Sequence, residues 1–171
     1  MRSSTPRHSV AGNLWRDLNL EETTPMRGIL AQLNTSNGGI PKTCVLAARV
    51  TEAGVEGDRQ TNRKVHGGSD RAICLYSVEL YDDLRKEGID LQPGAVGENF
   101  TTSGVDLQAL GVGSKLRVGA CTIEITDVRE PCATLKKCHV TLPRVITGRS
   151  GWMARVLEPG FVKPGDLIEV V

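Results

Sequence analysis

Leu116-Arg117-Val118-Gly119-Ala120-Cys121-Thr122-Ile123-Glu124-Ile125-Thr126-Asp127-Val128 reads as two strands joined by a two-residue turn. In its second half, Ile123 and Ile125 alternate with Thr122, Glu124 and Thr126. That period of two buries one face and wets the other, whereas a helix needs apolar positions three and four apart. Gly119-Ala120 lies between the halves, and a Gly-X pair there favours a tight type II′ hairpin.

Outward from this hairpin the same texture recurs in short pieces. Residues 166–171 alternate, with Ile168 and Val170 on one side. Val112-Gly113-Ser114-Lys115-Leu116 and Lys163-Pro164-Gly165-Asp166-Leu167 each place a glycine and a polar residue before a strand. This echo suggests two similar barrel entries, though it is too short to be a repeat. Residues 27–33 and 45–50 are aliphatic or β-branched runs separated by Gly38, Gly39 and Pro41, and read as two strands joined by a loop. Residues 72–76 form another apolar run. Ser77 then offers a helix N-cap, Leu80, Tyr81 and Leu84 give one apolar face, and Gly88 can end the helix. The expected fold is a mostly β, barrel-like domain over residues 26–171 with a few short peripheral helices. Residues 1–25 are polar and set off by Pro25, an N-terminal appendage. Leu14, Trp15 and Leu18 stand at helical spacing there, and both a docked helical turn and a flexible leader are open readings.

The chain has 171 residues, the size of one ordinary domain. Aromatics make up only 4%, so Val, Leu and Ile must fill the core, and 19 glycines fit many turns. A net charge of +1 without a basic stripe argues against a general nucleic-acid binder. No apolar run approaches the roughly 18 residues of a membrane helix, and the start of the chain lacks an apolar signal core. Five cysteines at irregular spacing, with no CxxC, read neither as a disulfide framework nor as a structural zinc site. Free thiols without an export signal point to the cytoplasm.

Three glycine-rich polar stretches stand out: Ser36-Asn37-Gly38-Gly39-Ile40-Pro41-Lys42, the pair Gly54-Val55-Glu56-Gly57-Asp58-Arg59 and His66-Gly67-Gly68-Ser69-Asp70-Arg71, and Pro93-Gly94-Ala95-Val96-Gly97-Glu98-Asn99-Phe100. Glycines let backbone N–H groups turn inward as anion-binding nests. Lys42, Arg59 and Arg71 lie in or beside them, and both Lys and Arg partner phosphate. An anionic ligand fits; hairpin turns with solvated charges fit as well. His66 could bind substrate, carry a proton or cap a turn. Cys132 sits in Val128-Arg129-Glu130-Pro131-Cys132-Ala133-Thr134-Leu135, just past a strand. It is either a small core hydrophobe or a thiolate favoured by Arg129, hence a nucleophile or soft metal ligand. Cys44, Cys74 and Cys121 lie in apolar runs and read as core; Cys138-His139 alone is weak as a ligand pair. Residues 148–160, with Arg149, Arg155 and Trp152 among glycines, offer either a site for a flat or anionic ligand or a short helix packing Trp152 and Val156 on the barrel.

In order and spacing, these segments resemble the stand-alone bacterial type of the MOSC family, the molybdenum cofactor sulfurase C-terminal domains. The resemblance runs through the 36–42 loop, 54–58, the HGG of His66-Gly67-Gly68, the GEN of Gly97-Glu98-Asn99, the R-x-PC of Arg129 to Cys132, and the GR-x-GW-x-x-RVL beginning at Gly148. It implies a β-barrel-like fold and a molybdenum–molybdopterin cofactor, with Cys132 as metal ligand or persulfide carrier. Lys42, His66, Gly67, Gly68, Arg71, Glu98, Asn99, Arg129 and Arg149 become candidates for cofactor or substrate contact, with His66 and Glu98 as proton carriers. The reaction expected is reduction of N-hydroxylated purines or similar N-oxygenated compounds. No GxGxxG fingerprint is present, so electrons are expected from a separate flavoprotein reductase. Sulfur transfer to the cofactor and a non-enzymatic carrier or insertion module are the alternatives. Some relatives carry a companion barrel domain that residues 1–25 cannot supply, so cofactor retention would rest on this domain alone or on a homodimer.

Overall fold

The computed structural model describes residues 26–59 and 68–171. Strands run β1 Arg27–Thr35, β2 Thr43–Cys44, β3 Ala48–Thr51, β4 Gly54–Val55, β5 Ile73–Ser77, β6 Phe100–Ser103, β7 Lys115–Val118, β8 Cys121–Val128, β9 Trp152–Glu158, β10 Gly160–Val162 and β11 Leu167–Val170. Two α-helices lie among them, α1 Val78–Lys86 and α2 Leu142–Val145. Seven strands follow one another in the order β11-β7-β8-β9-β5-β6-β1, and β1 pairs back with β11 to close a barrel. Closure removes the exposed sheet edges that would otherwise template aggregation. The quoted hairpin is β7–β8, with Leu116 opposite Ile123 and Val118 opposite Cys121. The two echoing entries lead into β7 and β11, which pair with each other, and Gly113 and Gly165 both take a φ of 92°.

All these pairings are antiparallel except β5–β6. A parallel pair needs a crossover, and α1 lies on that path. Ser77 caps it by accepting the N–H of Leu80, and Gly88, at φ 85°, turns the chain away at its end. Leu80, Tyr81 and Leu84 are buried, each worth roughly 1.5–3 kcal/mol relative to exposure. They pack not into the barrel but against its outer face, where Tyr76, Val96, Leu135, Leu142 and Ile146 complete a second core. The barrel interior holds Leu30, Leu33, Ile73, Leu75, Phe100, Leu116, Ile123 and Ile125 among others. Strand β5 therefore feeds both cores: Ile73 and Leu75 point inward, Tyr76 outward. No helix among the described residues is long and apolar enough to cross a membrane.

Three local expectations change. Residues 45–50 do not form one strand: Thr43–Cys44 pairs with β1, while Ala48–Thr51 joins β10 and β4 in a separate three-stranded sheet. Cys44 is exposed rather than core, because β2 extends the sheet outside the barrel. Trp152 begins a strand, not a short helix; β9 bridges β5 and β8, pairing Trp152 with Leu75 and Val156 with Ile123.

Candidate functional site

The site grows from the loop that crosses back from α1 to β6. Gly94 and Gly97 take φ values of 94° and 87°, which favour glycine. Both also lie too close to the 36–42 loop for a side chain, Gly94 against the Lys42 backbone and Gly97 against Ile40. Glu98 anchors this loop from beneath. It is fully buried, and its oxygens accept from Tyr81 Oη at 3.0 and 2.9 Å, Gly94 N at 2.6 Å and Thr101 Oγ1 at 2.7 Å. Burial pushes its carboxyl above the ordinary range, only partly offset by these donors. The structure thus places Glu98 as a brace under the loop rather than at its exposed surface.

Asn99 follows. Its backbone N–H donates to Cys74 O at 2.8 Å, and its Oδ1 accepts from Cys74 N at 3.2 Å. Its Nδ2 turns to Asp58 Oδ2 at 2.9 Å, and the same oxygen receives Lys42 Nζ at 2.6 Å. Lys42 and Asn99, far apart in sequence, are therefore joined through one carboxylate.

Arg129 reaches the same loop from the other side. Its Nη2 donates to Val96 O, and its Nη1 lies 3.5 Å from Ser150 O. Among the described residues no carboxylate pairs with it, so a half-buried cation meets only carbonyls. Three residues on, Cys132 leads into a 3₁₀ turn, Ala133–Lys137, and packs partly buried against the second core. Its sulfur has no hydrogen bond among the described residues. Cys138, at the end of that turn, donates its thiol to Ala95 O at 3.2 Å, and burial raises its pKa against the pull of Arg129. Lys42, Asn99 and Arg129 therefore gather around residues 93–99, and Cys132 packs on the same second core as Ala95 and Val96.

Cys74 lies between these groups. Burial raises its pKa, opposed by the charges of Arg129, Lys42 and Arg71 and reinforced by Glu98. The reading of Cys74 as core holds for its burial, 6% exposed. It misses the polar company, because a uniformly apolar run does not show which side of β5 faces outward.

The remaining candidates stand apart. Arg71 ends the 3₁₀ turn Ser69–Arg71 that follows Gly68. It lies 3.7 Å from Asp127 and leaves its Nε buried without a partner among the described residues, lining a cleft of about 360 Å³ with Asp70, Glu124 and Arg155. Arg149 turns to Glu87 at 2.7 Å and to Val145 O at 3.1 Å, just beyond α1. His66 and Gly67, like residues 1–25, lie outside the described residues. No three His, Cys, Asp or Glu side chains cluster as a metal cage among the described residues.

Comparison with known proteins supplies the family. The MOSC domain matches residues 62–169. Protein YiiM of Escherichia coli is 34% identical over 131 residues, covering 71% of this chain and 58% of YiiM. The chain thus spans little more than half the length of that relative. A protein named Reductase from Gibberella moniliformis is 32% identical over 172 residues, 86% of this chain but 30% of that protein. The crystal structure of YiiM from Geobacillus stearothermophilus superposes with a TM-score of 0.70 at 28% identity, covering 84% of this chain and 75% of that one. With its closed barrel, its glycine-rich loops and the Arg129–Cys132 segment, this chain belongs to the MOSC domain family.

Proposed function

We propose that this protein binds a molybdenum–molybdopterin cofactor and serves as a reductase of N-hydroxylated purines or similar N-oxygenated compounds. The carrying observation is that Cys132, a half-buried thiol with no hydrogen bond among the described residues, follows three residues after Arg129, a cation that meets only backbone carbonyls among those residues. The residues fit such a group. A thiolate is the soft ligand suited to a transition metal bearing sulfur ligands. Arg129 and Lys42 provide cations for an anionic pterin phosphate. Gly94 and Gly97, with no side chain, keep the loop backbone close-packed beside them. The MOSC family is associated with binding this cofactor, and the fungal relative's name supports reduction as the chemistry.

When bound, the cofactor supplies a two-electron redox centre, and the protein holds and tunes it. The chain's own residues have simpler work. Cys132 would hold the metal, Lys42 and Arg129 would face the anionic end, Arg71 would line the separate cleft beside Asp127, and His66 would deliver protons. In the net reaction the N–O bond breaks and the oxygen leaves as water. Two protons and two electrons are consumed, the electrons coming from a separate flavoprotein reductase. Glu98 and Asn99 act through the loop they shape.

The test is Cys132→Ser, purified beside the wild type from a host that makes the cofactor. Serine keeps the size but loses the readily ionised sulfur. Molybdenum and reduction of an N-hydroxylated base should both collapse while the melting temperature barely moves. Wild-type metal and activity in the variant would overturn the assignment. A persulfide on Cys132 without metal would instead support sulfur transfer. Full molybdenum with no reduction by any donor would support a carrier.

A further inference from the structure

Asp58 has no role in the reading above, yet it ties three segments of the site together. Its Oδ1 accepts from Ser36 N at 2.8 Å, and its Oδ2 accepts from Lys42 Nζ at 2.6 Å and Asn99 Nδ2 at 2.9 Å. The pair is deeply placed, with 5% of the Asp58 side chain and 10% of the Lys42 side chain exposed. Neighbouring backbone bonds fix the carboxylate itself: Asp58 N donates to Val55 O at 3.1 Å, and Arg59 N to Ser36 O at 2.7 Å. A buried carboxylate is tolerated when donors satisfy it, and here an ammonium, an amide and a backbone N–H do so together. The ammonium has three hydrogens and gives one to Asp58.

From this geometry we infer that Asp58 is a positioning residue, which aims the Lys42 ammonium at an anionic ligand before the ligand arrives, while the Asn99 amide, donating to both Asp58 and Asn34 O, helps to hold the carboxylate in place. Its value lies in preorganisation. A free lysine loses much rotamer freedom when it grips an anion, whereas one already held loses less. The charge of Asp58 would repel an anion if bare, but three donors are turned toward it, and two hydrogens of Lys42 remain for the ligand. Asp58 makes no contact with the ligand in this scheme and acts only through Lys42. The identity of that ligand as the pterin rests on the function proposed above.

Two measurements test this. In the first, wild type, Asp58→Asn, Lys42→Met and the double variant are purified from a cofactor-making host. Pterin retained after extensive dilution is read by fluorescence of its oxidised form. Each single variant should lose about tenfold, the scale of one charge-assisted contact. The double should retain no less than Lys42→Met alone, because residues acting through one another do not add. Losses that multiply in the double variant, or wild-type retention in Asp58→Asn, would overturn the inference. The double variant also removes the unpaired buried ammonium, so it guards against a single variant that merely fails to fold. The second measurement needs no cofactor. Apo protein is treated with acetic anhydride, and labelling of Lys42 is compared with that of exposed Lys136 by mass spectrometry. Lys42 should label several-fold faster in Asp58→Asn; an unchanged ratio would sink the positioning role. If the wild type holds no pterin but labelling rises as expected, the cofactor reading fails while the positioning of Lys42 stands.

Discussion

Gly94 and Lys42 are locked backbone to backbone. Lys42 N donates to Gly94 O at 2.9 Å, and a Cβ built on Gly94 would stand 2.3 Å from Lys42 O. The two glycine-rich loops can therefore meet only while residue 94 lacks a side chain. Gly94→Ala meets both that clash and a φ of 94°. The conformational strain alone is worth about 1–2 kcal/mol, and the forced separation adds a further 1–3 kcal/mol or so. Gly113 shares the strain, at φ 92°, but has nothing within 4 Å of its Cβ position. Urea unfolding should show Gly94→Ala at least about 1 kcal/mol worse than Gly113→Ala. Equal losses would mean that the loops separate freely.

The two arginines once grouped as ligand contacts should part company. Arg149 is engaged by Glu87, in a pair with 27% and 45% of the side chains exposed. Such surface pairs add little to stability. Arg129 meets carbonyls of Val96 and Ser150 and keeps its charge unmatched by a carboxylate among the described residues. Arg129→Ala should lower pterin retention by about one to two orders of magnitude, as expected for losing a hydrogen-bonded charge. Arg149→Ala should stay within about threefold of wild type, with a melting temperature close to it. A larger loss in Arg149→Ala than in Arg129→Ala would reverse this assignment.

What the sequence showed and what it hid divide along a physical line. The β7–β8 hairpin was legible because alternation and the Gly119-Ala120 turn are local signals. The helix α1 was legible because Ser77, its apolar face and Gly88 agree. The fate of residues 43–51 was not, since the break depends on β10, more than a hundred residues away in sequence. Cys44 and Cys74 look alike in their runs; only the edge position of β2 and the two-sided burial of β5 separate them. Asp58 shows the limit most sharply. Its three donors come from positions 22, 16 and 41 residues away, and no local pattern records that convergence. The Gly54–Asp58 motif marked the segment but not the job of its last residue.

Glu98 gives the protein a pH dependence of a definite sign. Burial raises its folded pKa above its unfolded value, which for glutamate is near 4.3. A raised carboxyl binds its proton more tightly in the folded state. Its stabilising contribution is therefore full below about pH 4.3 and is lost as pH climbs through the folded value. The carboxyls of Glu79 and Glu87 are shifted the other way, so their contributions fade only on acidification below about pH 4.3. Above about pH 4.3 the wild type should thus lose stability relative to Glu98→Gln as pH rises, until the folded value is passed, with a slope of at most about 1.4 kcal/mol per pH unit. Urea midpoints of both proteins, taken from mildly acidic to neutral pH, provide the measurement. Parallel curves would show that the carboxylate titrates alike in both states.

Electron supply is the remaining test of the reductase reading. On that reading each N-hydroxylated substrate consumes two electrons, and these must be replaced before the next turnover. A pterin-bound metal can pass electrons on but does not generate them, and the sequence carries no nicotinamide or flavin fingerprint. The purified holoprotein should therefore stay idle with NADPH alone. Adding a flavoprotein reductase, or a reduced viologen dye as a chemical donor, should start steady consumption of substrate. The two donors probe different steps. Viologen, a small molecule, needs only access to the cofactor, whereas the flavoprotein must also dock, and electron-transfer encounters bury little surface. The flavoprotein-driven rate should therefore fall with added salt if charge steers that encounter, while the viologen rate changes less. A steady NADPH-dependent rate from flavin-free preparations of this chain alone would show that it draws electrons by another route.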